Sequence, residues 1–264
     1  MMIGVIGLGN MAQAIIGGIL SRGLAGEGSI IGYDRSPAAM SRAGEKYGIA
    51  TGDSNPDVAE RADVLILAVK PQVIGSVIEE IAPYVSSDTI VISIAPGKSI
   101  SWIMEKFGRQ VRLIRCMPNT PALVGEGMTG FCVSGNVTEE DKEKAKSILE
   151  AFGRAEEVPE ELMAAVTSVS GSSPAYVFIL IEAMADQAVA DGMPRAQAYE
   201  FAAQAVLGSA KMVLETGRHP GELKDMVCSP AGTTIDAVKI LEKNGFRAAV
   251  EEAMAACTEK AGKL

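Results

Sequence analysis

The sequence predicts an α/β domain built on a doubly wound parallel sheet, followed by an all-helical domain. Three observations carry this. Short β-branched apolar runs alternate with helical patterns over the first half of the chain. A glycine-rich turn stands directly behind the first run. From Glu161 onward the β-rich runs stop and alanine and other helix formers dominate.

The runs are Met2–Ile6, Ser29–Tyr33, Val64–Val69, Thr89–Ile94, Val111–Cys116 and Met128–Ser134. They show no polar alternation, which suits strands buried on both faces, and the helical patterns between them suit crossover connections in a parallel sheet. Thr138-Glu139-Glu140-Asp141 reads as a helix start with acidic residues in its first turn, and that helix runs to about Phe152. Arg154 to Pro159 closes the domain. The predicted division is therefore 1–160 for the α/β domain and 161–264 for the helical one. Punctuation at Ser172-Ser173-Pro174, Gly192-Met193-Pro194, His219-Pro220-Gly221, Ser229-Pro230 and Asn244-Gly245 separates the later helices. The stretch Ala175 to Met184 is apolar on nearly every face, where a surface helix of a small bundle needs only a stripe. A partner subunit is expected to cover the rest.

Composition narrows the function. The chain has 264 residues, 24 basic and 33 acidic, for a net charge of −9. That is opposite to the footprint of a nucleic-acid binder. The single histidine, His219, leaves no metal site of the multi-histidine kind, and no metal is expected. Cys116, Cys132, Cys228 and Cys257 form no C-x-x-C and read as packing residues in a reducing compartment. No basic leader stands at the amino terminus, and no apolar run approaches the ~20 residues of a membrane span. The expectation is a cytoplasmic protein with no membrane contact.

Gly7-Leu8-Gly9-Asn10-Met11-Ala12 follows the first strand and opens a helix, the context that the G-x-G-x-x-G/A fingerprint of the Rossmann fold requires. Its glycines permit a tight turn and close approach to a pyrophosphate, and the helix start supplies amides. Asp34-Arg35-Ser36 ends the second strand. The carboxylate suits ribose hydroxyls, whereas Arg35 and Ser36 suit a 2′-phosphate, so NADH and NADPH both stay open. Ala68-Val69-Lys70-Pro71 reaches the same sheet edge, where Lys70 can face the cofactor.

The second domain offers few acids for protonating an alkoxide. The β-hydroxyacid dehydrogenases, similar in general layout, carry a catalytic lysine after a glycine-rich turn. Here Gly171 to Leu180 contains no lysine. Cys228-Ser-Pro-Ala-Gly-Thr-Thr-Ile-Asp236 is a hydroxyl-rich loop before a helix starting near Thr233. It reads either as ordinary helix capping or as a neutral cradle for a small carboxylate.

Taken together, several stretches resemble the pyrroline-5-carboxylate reductase family over nearly the whole chain. They are Gly7–Ala12, Ala68–Pro71, Ile114-Arg-Cys-Met-Pro-Asn-Thr-Pro121, Ala165-Val-Thr-Ser-Val-Ser-Gly-Ser-Ser-Pro-Ala-Tyr176, His219-Pro-Gly-Glu-Leu-Lys-Asp225 and Ser229-Pro-Ala-Gly-Thr-Thr234. The resemblance implies reduction of the C=N bond of 1-pyrroline-5-carboxylate by NAD(P)H, giving L-proline. A protonated imine is already electrophilic, which fits the sparse site. The resemblance further implies that Ser229, Gly232 and Thr233 hold the substrate carboxylate and that Thr234 bonds the ring nitrogen as the catalytic group, with Glu160 also at the substrate. It places Ile6, Gly7, Leu8, Gly9, Asn10, Met11, Asp34, Arg35, Ser36, Asn55, Ala68, Val69, Lys70, Pro71 and Ala95 along the cofactor. It implies homodimers through carboxy-terminal helices, and larger rings of dimers up to a decamer. A related imine or β-hydroxyacid reductase, or a non-catalytic NAD(P)-sensing dimer, are the alternatives.

Two positions depart from the family pattern, Ser173 and Ala231, where glycine is usual. Alanine disfavours positive φ, so the carboxylate loop is expected to use ordinary backbone angles at 231. His219 is expected to have a structural role at a helix start.

Overall fold

The computed structural model describes residues 1–26 and 28–263. They form two compact units, residues 1–172 with the stretch from Cys257 onward, and residues 173–256. In chain order the strands of the first unit are β1 (Ile3–Ile6), β2 (Ile30–Tyr33), β3 (Ala50–Thr51), β4 (Val64–Leu67), β5 (Ile90–Ser93), β6 (Arg112–Met117), β7 (Gly127–Val133) and β8 (Gly153–Glu157). They make one sheet in the order β3-β2-β1-β4-β5-β6-β7-β8. β1 is central, with Ile3 in register with Ile30 of β2 on one side and Val64 of β4 on the other.

Helices α1 (Asn10–Ser21), α2 (Pro37–Tyr47), α3 (Asn55–Arg61), α4 (Ile74–Ile81), α5 (Ile100–Phe107) and α6 (Glu139–Glu150) join the strands. The period-two geometry of β4 sends Val64 and Ile66 into a core shared with Ile15, Ile19 and Ile148 of α1 and α6. Leu65 and Leu67 enter a second core with Val58, Ile78, Ile103 and Phe107 of α3, α4 and α5. Two such layers explain why the strand runs are apolar without alternation.

All six predicted runs are strands, but the sheet is not wholly parallel. β7 runs antiparallel to β6, with Arg115 opposite Cys132. The link between them, residues 118–126, contains Pro118, Pro121 and only a short 3-10 turn, Thr120–Val124. A parallel crossover needs about a dozen residues or more, usually with a helix. β3 and β8 lie at the two sheet edges and lack apolar runs, the one because it has two residues, the other because its sequence is Gly-Arg-Ala-Glu-Glu.

The remaining helices are α7 (Met163–Val166), α8 (Ser173–Ala190), α9 (Arg195–Thr216), α10 (Pro220–Val227), α11 (Thr233–Lys243) and α12 (Phe246–Ala261). α8 and α9 pack on each other, burying Ala185, Ala198 and Ala202. Small residues at a helix contact leave the large ones outside. Phe178 is 61% exposed and Ile179 65%.

The expectation about membrane-length segments needs correction. Glu160–Ala190 is a 31-residue helical stretch of mean hydropathy 1.5, long and apolar enough to cross a membrane by length and composition alone. The sequence reading missed it because serines and a glycine interrupt the apolar letters at 168–173, where the helix widens into a single π-turn, Thr167–Gly171. Ser173, the first residue of α8, needs no left-handed backbone.

Candidate active site

The strand order reverses between β1 and β4, and at the carboxyl ends of these two strands lies a cleft of about 380 Å³. Open α/β sheets bind ligands at such switch points. The glycine loop forms one wall. Gly7 has φ +90°, and a Cβ there would come within 2.8 Å of the Ala68 carbonyl oxygen. Only glycine lets β1 turn so closely past β4. Gly9 is the N-cap of α1 and faces the opposite condition: a Cβ there would meet no protein atom within 4 Å and would project into open space. No side chain caps α1, so the amides of its first turn keep their donors for an anion, and the helix dipole adds to them. The vacant side of Gly9 and these uncapped amides fit a dinucleotide pyrophosphate.

Asp34 ties the end of β2 to this loop. Its Oδ2 accepts from the Leu8 amide at 2.8 Å and its Oδ1 from the Ser36 amide at 2.9 Å. Ser36 in turn caps α2, its hydroxyl accepting from the Ala39 amide.

Of the expected cofactor residues, Ile6, Gly7, Gly9, Asp34, Arg35, Asn55, Ala68, Val69 and Lys70 line the cleft. Six do not. Leu8 points its side chain into the core, where it is 1% exposed. Asn10 and Met11 sit in the first turn of α1, where each offers an amide, and Ser36 sits at the cap of α2 with its amide already given to Asp34. Pro71 is outside the lining, and Ala95 is buried beyond β5. The structure adds Tyr33, Val73, Ser76, Val77 and Glu80. Four of these follow Lys70-Pro71 at helical spacing, a signal that a helical projection of α4 would have exposed. Arg35 and Lys70 are cleft cations with no carboxylate partner among the described residues.

Glu160 is held within the first unit. Its Oε1 accepts from Arg115 Nη1 and from the Ile100 amide, each at 2.7 Å. Nearby, burial first and the Glu160 charge second push the Cys132 thiol up to about 11. Burial raises Cys116 well above its ordinary range too. Both stay protonated at neutral pH, as packing residues do.

In the second unit, Ser229-Pro230-Ala231-Gly232 forms a turn in which the Gly232 amide donates to the Ser229 carbonyl at 3.0 Å. Ala231 has φ +56°, the one non-glycine residue with positive φ among the described residues. The expectation of ordinary angles at 231 is therefore wrong. Proline at the second position of a turn leads naturally to a left-handed third residue, as in type II turns, and the turn imposes that conformation on alanine. Nor are the loop hydroxyls caps. Gly232 is the N-cap of α11 with no side-chain bond to the helix, and Thr233 and Thr234 are its first two residues. α1 and α11 thus both begin behind a bare glycine, leaving first-turn amides for a ligand. His219 caps α10, its Nδ1 accepting from the Gly221 amide at 3.1 Å, which is the structural role expected of it.

Comparison with known proteins decides the family. A profile described as pyrroline-5-carboxylate reductase dimerisation matches residues 160–264. One described as NADP oxidoreductase, coenzyme F420-dependent, matches residues 2–97. The pyrroline-5-carboxylate reductase of Escherichia coli is 52% identical over 262 residues, covering 99% of this chain and 97% of the relative. The chain belongs to the pyrroline-5-carboxylate reductase family. Two solved structures agree with it in fold. The reductase of Coxiella burnetii superposes with a TM-score of 0.92 at 36% identity, covering 99% of this chain and 97% of the other. That of Plasmodium falciparum, with NADP bound, gives 0.90 at 33%, with the same coverage. As a pyrroline-5-carboxylate reductase the chain is an NAD(P)H-dependent oxidoreductase, and it self-associates through its helical dimerisation region. The exposed apolar faces of α8 and the Glu160–Ala190 stretch both fall within the matched dimerisation region.

Proposed function

We propose that the chain catalyses the last step of proline synthesis, reduction of 1-pyrroline-5-carboxylate to L-proline, with a division of labour in which residues 1–160 hold the cofactor and 161–264 hold the substrate and the dimer contact. The observation that carries the substrate assignment is the start of α11. The uncapped amides behind Gly232, with the hydroxyls of Ser229 and Thr233, make a neutral cradle for the substrate carboxylate. Thr234, half-buried at the second helical position, bonds the ring nitrogen and fixes the plane of the imine.

Bound NAD(P)H supplies the hydride. The protonated imine accepts it at carbon and keeps its proton on nitrogen, so the protein needs no strong acid, and orientation provides most of the acceleration. Glu160, fixed by Arg115 and the Ile100 amide, is the one residue of the first stretch assigned to the substrate. Gly7, Gly9, Asn10 and Met11 serve the pyrophosphate. Asp34, Arg35, Ser36 and Asn55 serve the adenosine end, and Ala68, Val69, Lys70, Pro71 and Ala95 the remainder. The active assembly is a ring of dimers in the cytoplasm, without nucleic-acid or membrane partners.

The test is oxidation of NADH or NADPH by the purified protein with 1-pyrroline-5-carboxylate. Turnover with one or both is expected, and none with either refutes the assignment. Thr234→Ala should lower kcat by about 10²-fold while the dissociation constant of the reduced dinucleotide stays within about twofold. Loss of cofactor binding in that variant would reject the role given to Thr234.

A further inference from the structure

The face that α4 turns to the cofactor cleft ends in a carboxylate with no role in the assignments above. Val73, Ser76, Val77 and Glu80 follow one another at helical spacing, so they share a face, and all four line the cleft beside Tyr33 and Asn55. Asn55 Nδ2 donates to Glu80 Oε2 at 2.8 Å. Asn55 is 7% exposed, and this bond turns its amide nitrogen to Glu80, leaving the carbonyl oxygen as its free acceptor. Among the described residues no protein group donates to Asn55 Oδ1 or to Glu80 Oε1. The pair therefore offers the cleft mainly acceptors, next to an apolar wall made by Val73 and Val77.

We propose that Glu80, held by Asn55, is a specificity-determining residue that reads the adenine of the cofactor through its exocyclic amine. The proposal rests on the assignment of this cleft to NAD(P)H. Within the cleft the glycine loop and the amides of α1 suit phosphates, and Asp34 and Arg35 at the end of β2 suit the ribose and its substituent. The apolar face of α4 is left for the flat base. A purine lying on Val73 and Val77 presents its edge to Glu80 and Asn55. Adenine carries an NH2 donor on that edge, which a carboxylate and an amide oxygen accept. Hypoxanthine carries a carbonyl there, which sets oxygen against the Glu80 carboxylate and leaves the oxygen of the buried Asn55 unpaired, and an unpaired buried acceptor is what gives a polar site discrimination.

The experiment compares kcat/KM for the reduced dinucleotide that the intact enzyme uses better with that for its hypoxanthine analogue, at saturating 1-pyrroline-5-carboxylate. The wild type should favour adenine by about tenfold or more. Glu80→Gln should bring the ratio close to one, because its amide can turn to donate to the carbonyl, and Asn55→Ala should fall between. A ratio near one in the wild type, or an unchanged ratio in Glu80→Gln, overturns the proposal. So does a Glu80→Gln variant that alters only NADH against NADPH, which would place the carboxylate at the 2′ position instead. Gly9→Ala separates the two levels of the claim. It should raise KM for both dinucleotides alike, and if it raises neither, the assignment of the cleft has failed rather than the reading of the base.

Discussion

Arg115 Nη1 and Glu160 Oε1 meet at 2.7 Å, and the same oxygen receives the Ile100 amide. The bond joins β6, the last strand of the parallel series that contains β1, to the residue where the dimerisation match begins. The Arg115 side chain is 14% exposed and that of Glu160 35%, so the pair is neither a surface ion pair nor a sealed one. Arg115→Met should therefore destabilise the protein by about 1–2 kcal/mol, from the loss of a charged hydrogen bond in a half-shielded place. It should also raise KM for 1-pyrroline-5-carboxylate, because Glu160 loses the partner that orients it, with KM for the dinucleotide unchanged. Steady-state kinetics in both substrates, with urea titration, read the two effects. An unchanged KM for the imine would remove Glu160 from the substrate side.

Gly7 and Gly9 look equivalent in the fingerprint but are constrained by different things. Gly7→Ala meets the Ala68 carbonyl at 2.8 Å and a φ of +90°, so it should cost stability by about 2 kcal/mol or more. Gly9→Ala meets nothing and needs no special angle, so stability should hold within about 0.5 kcal/mol. Its methyl occupies the cleft, and dinucleotide KM should rise by about tenfold or more. Thermal unfolding and cofactor titration of the two variants distinguish a fold glycine from a ligand glycine.

How far the sequence reaches is clear from these residues. The glycine loop and the six apolar strands were legible because their constraints are local, set by the unbroken apolar character of each run and by which residues can turn. The reversal of β7 was not, because strand direction depends on whether nine linking residues can cross the sheet, and a list of apolar runs does not weigh linker length. At the site, the residues contributed by turns were named in advance, whereas Val73, Ser76, Val77 and Glu80 of α4 were not. A helix face becomes part of a cleft only through packing, and here Val77 serves the core and the cleft at once.

Ala231 is the clearest case of a local rule overridden by its surroundings. Left-handed backbone costs a non-glycine residue about 1 kcal/mol, and its φ is +56°. Ala231→Gly removes that strain but gives the unfolded chain more freedom, so the net gain should be only about 0.5 kcal/mol. Ala231→Val should lose more than about 1 kcal/mol, since a β-branched side chain tolerates the angle worse. The urea midpoints should order as Gly, Ala, Val. If the glycine variant also changes KM for 1-pyrroline-5-carboxylate while dinucleotide KM is constant, the turn shapes the carboxylate cradle. The reverse order of midpoints would show that Ala231 does not hold the left-handed angle in solution.

Asp141 gives the fold a defined sensitivity to acid. Burial opposes its ionisation, but hydrogen bonds from the Thr138 hydroxyl and amide, with Arg112 adding, outweigh burial and hold its carboxyl below the ordinary 3.8. The geometry is a reciprocal capping box at the start of α6, where the Thr138 hydroxyl also accepts from the Asp141 amide at 3.1 Å. Because the folded state lowers this pKa, it contributes stability above the unfolded value, and that contribution fades as pH falls through 3.8 and below. Asp141→Asn should be less stable than the wild type at pH 7 by about 1 kcal/mol, since the charge-assisted bonds are gone. Its stability should then decline less steeply on acidification, so that the two curves converge below pH 3.8. Thr138→Ala should lose stability at pH 7 and also lose part of the acid sensitivity, because it removes a cause of the lowered pKa. Parallel curves for wild type and Asp141→Asn between pH 7 and the acid limit would mean that other carboxylates dominate the acid transition and that the cap at α6 does not open with it.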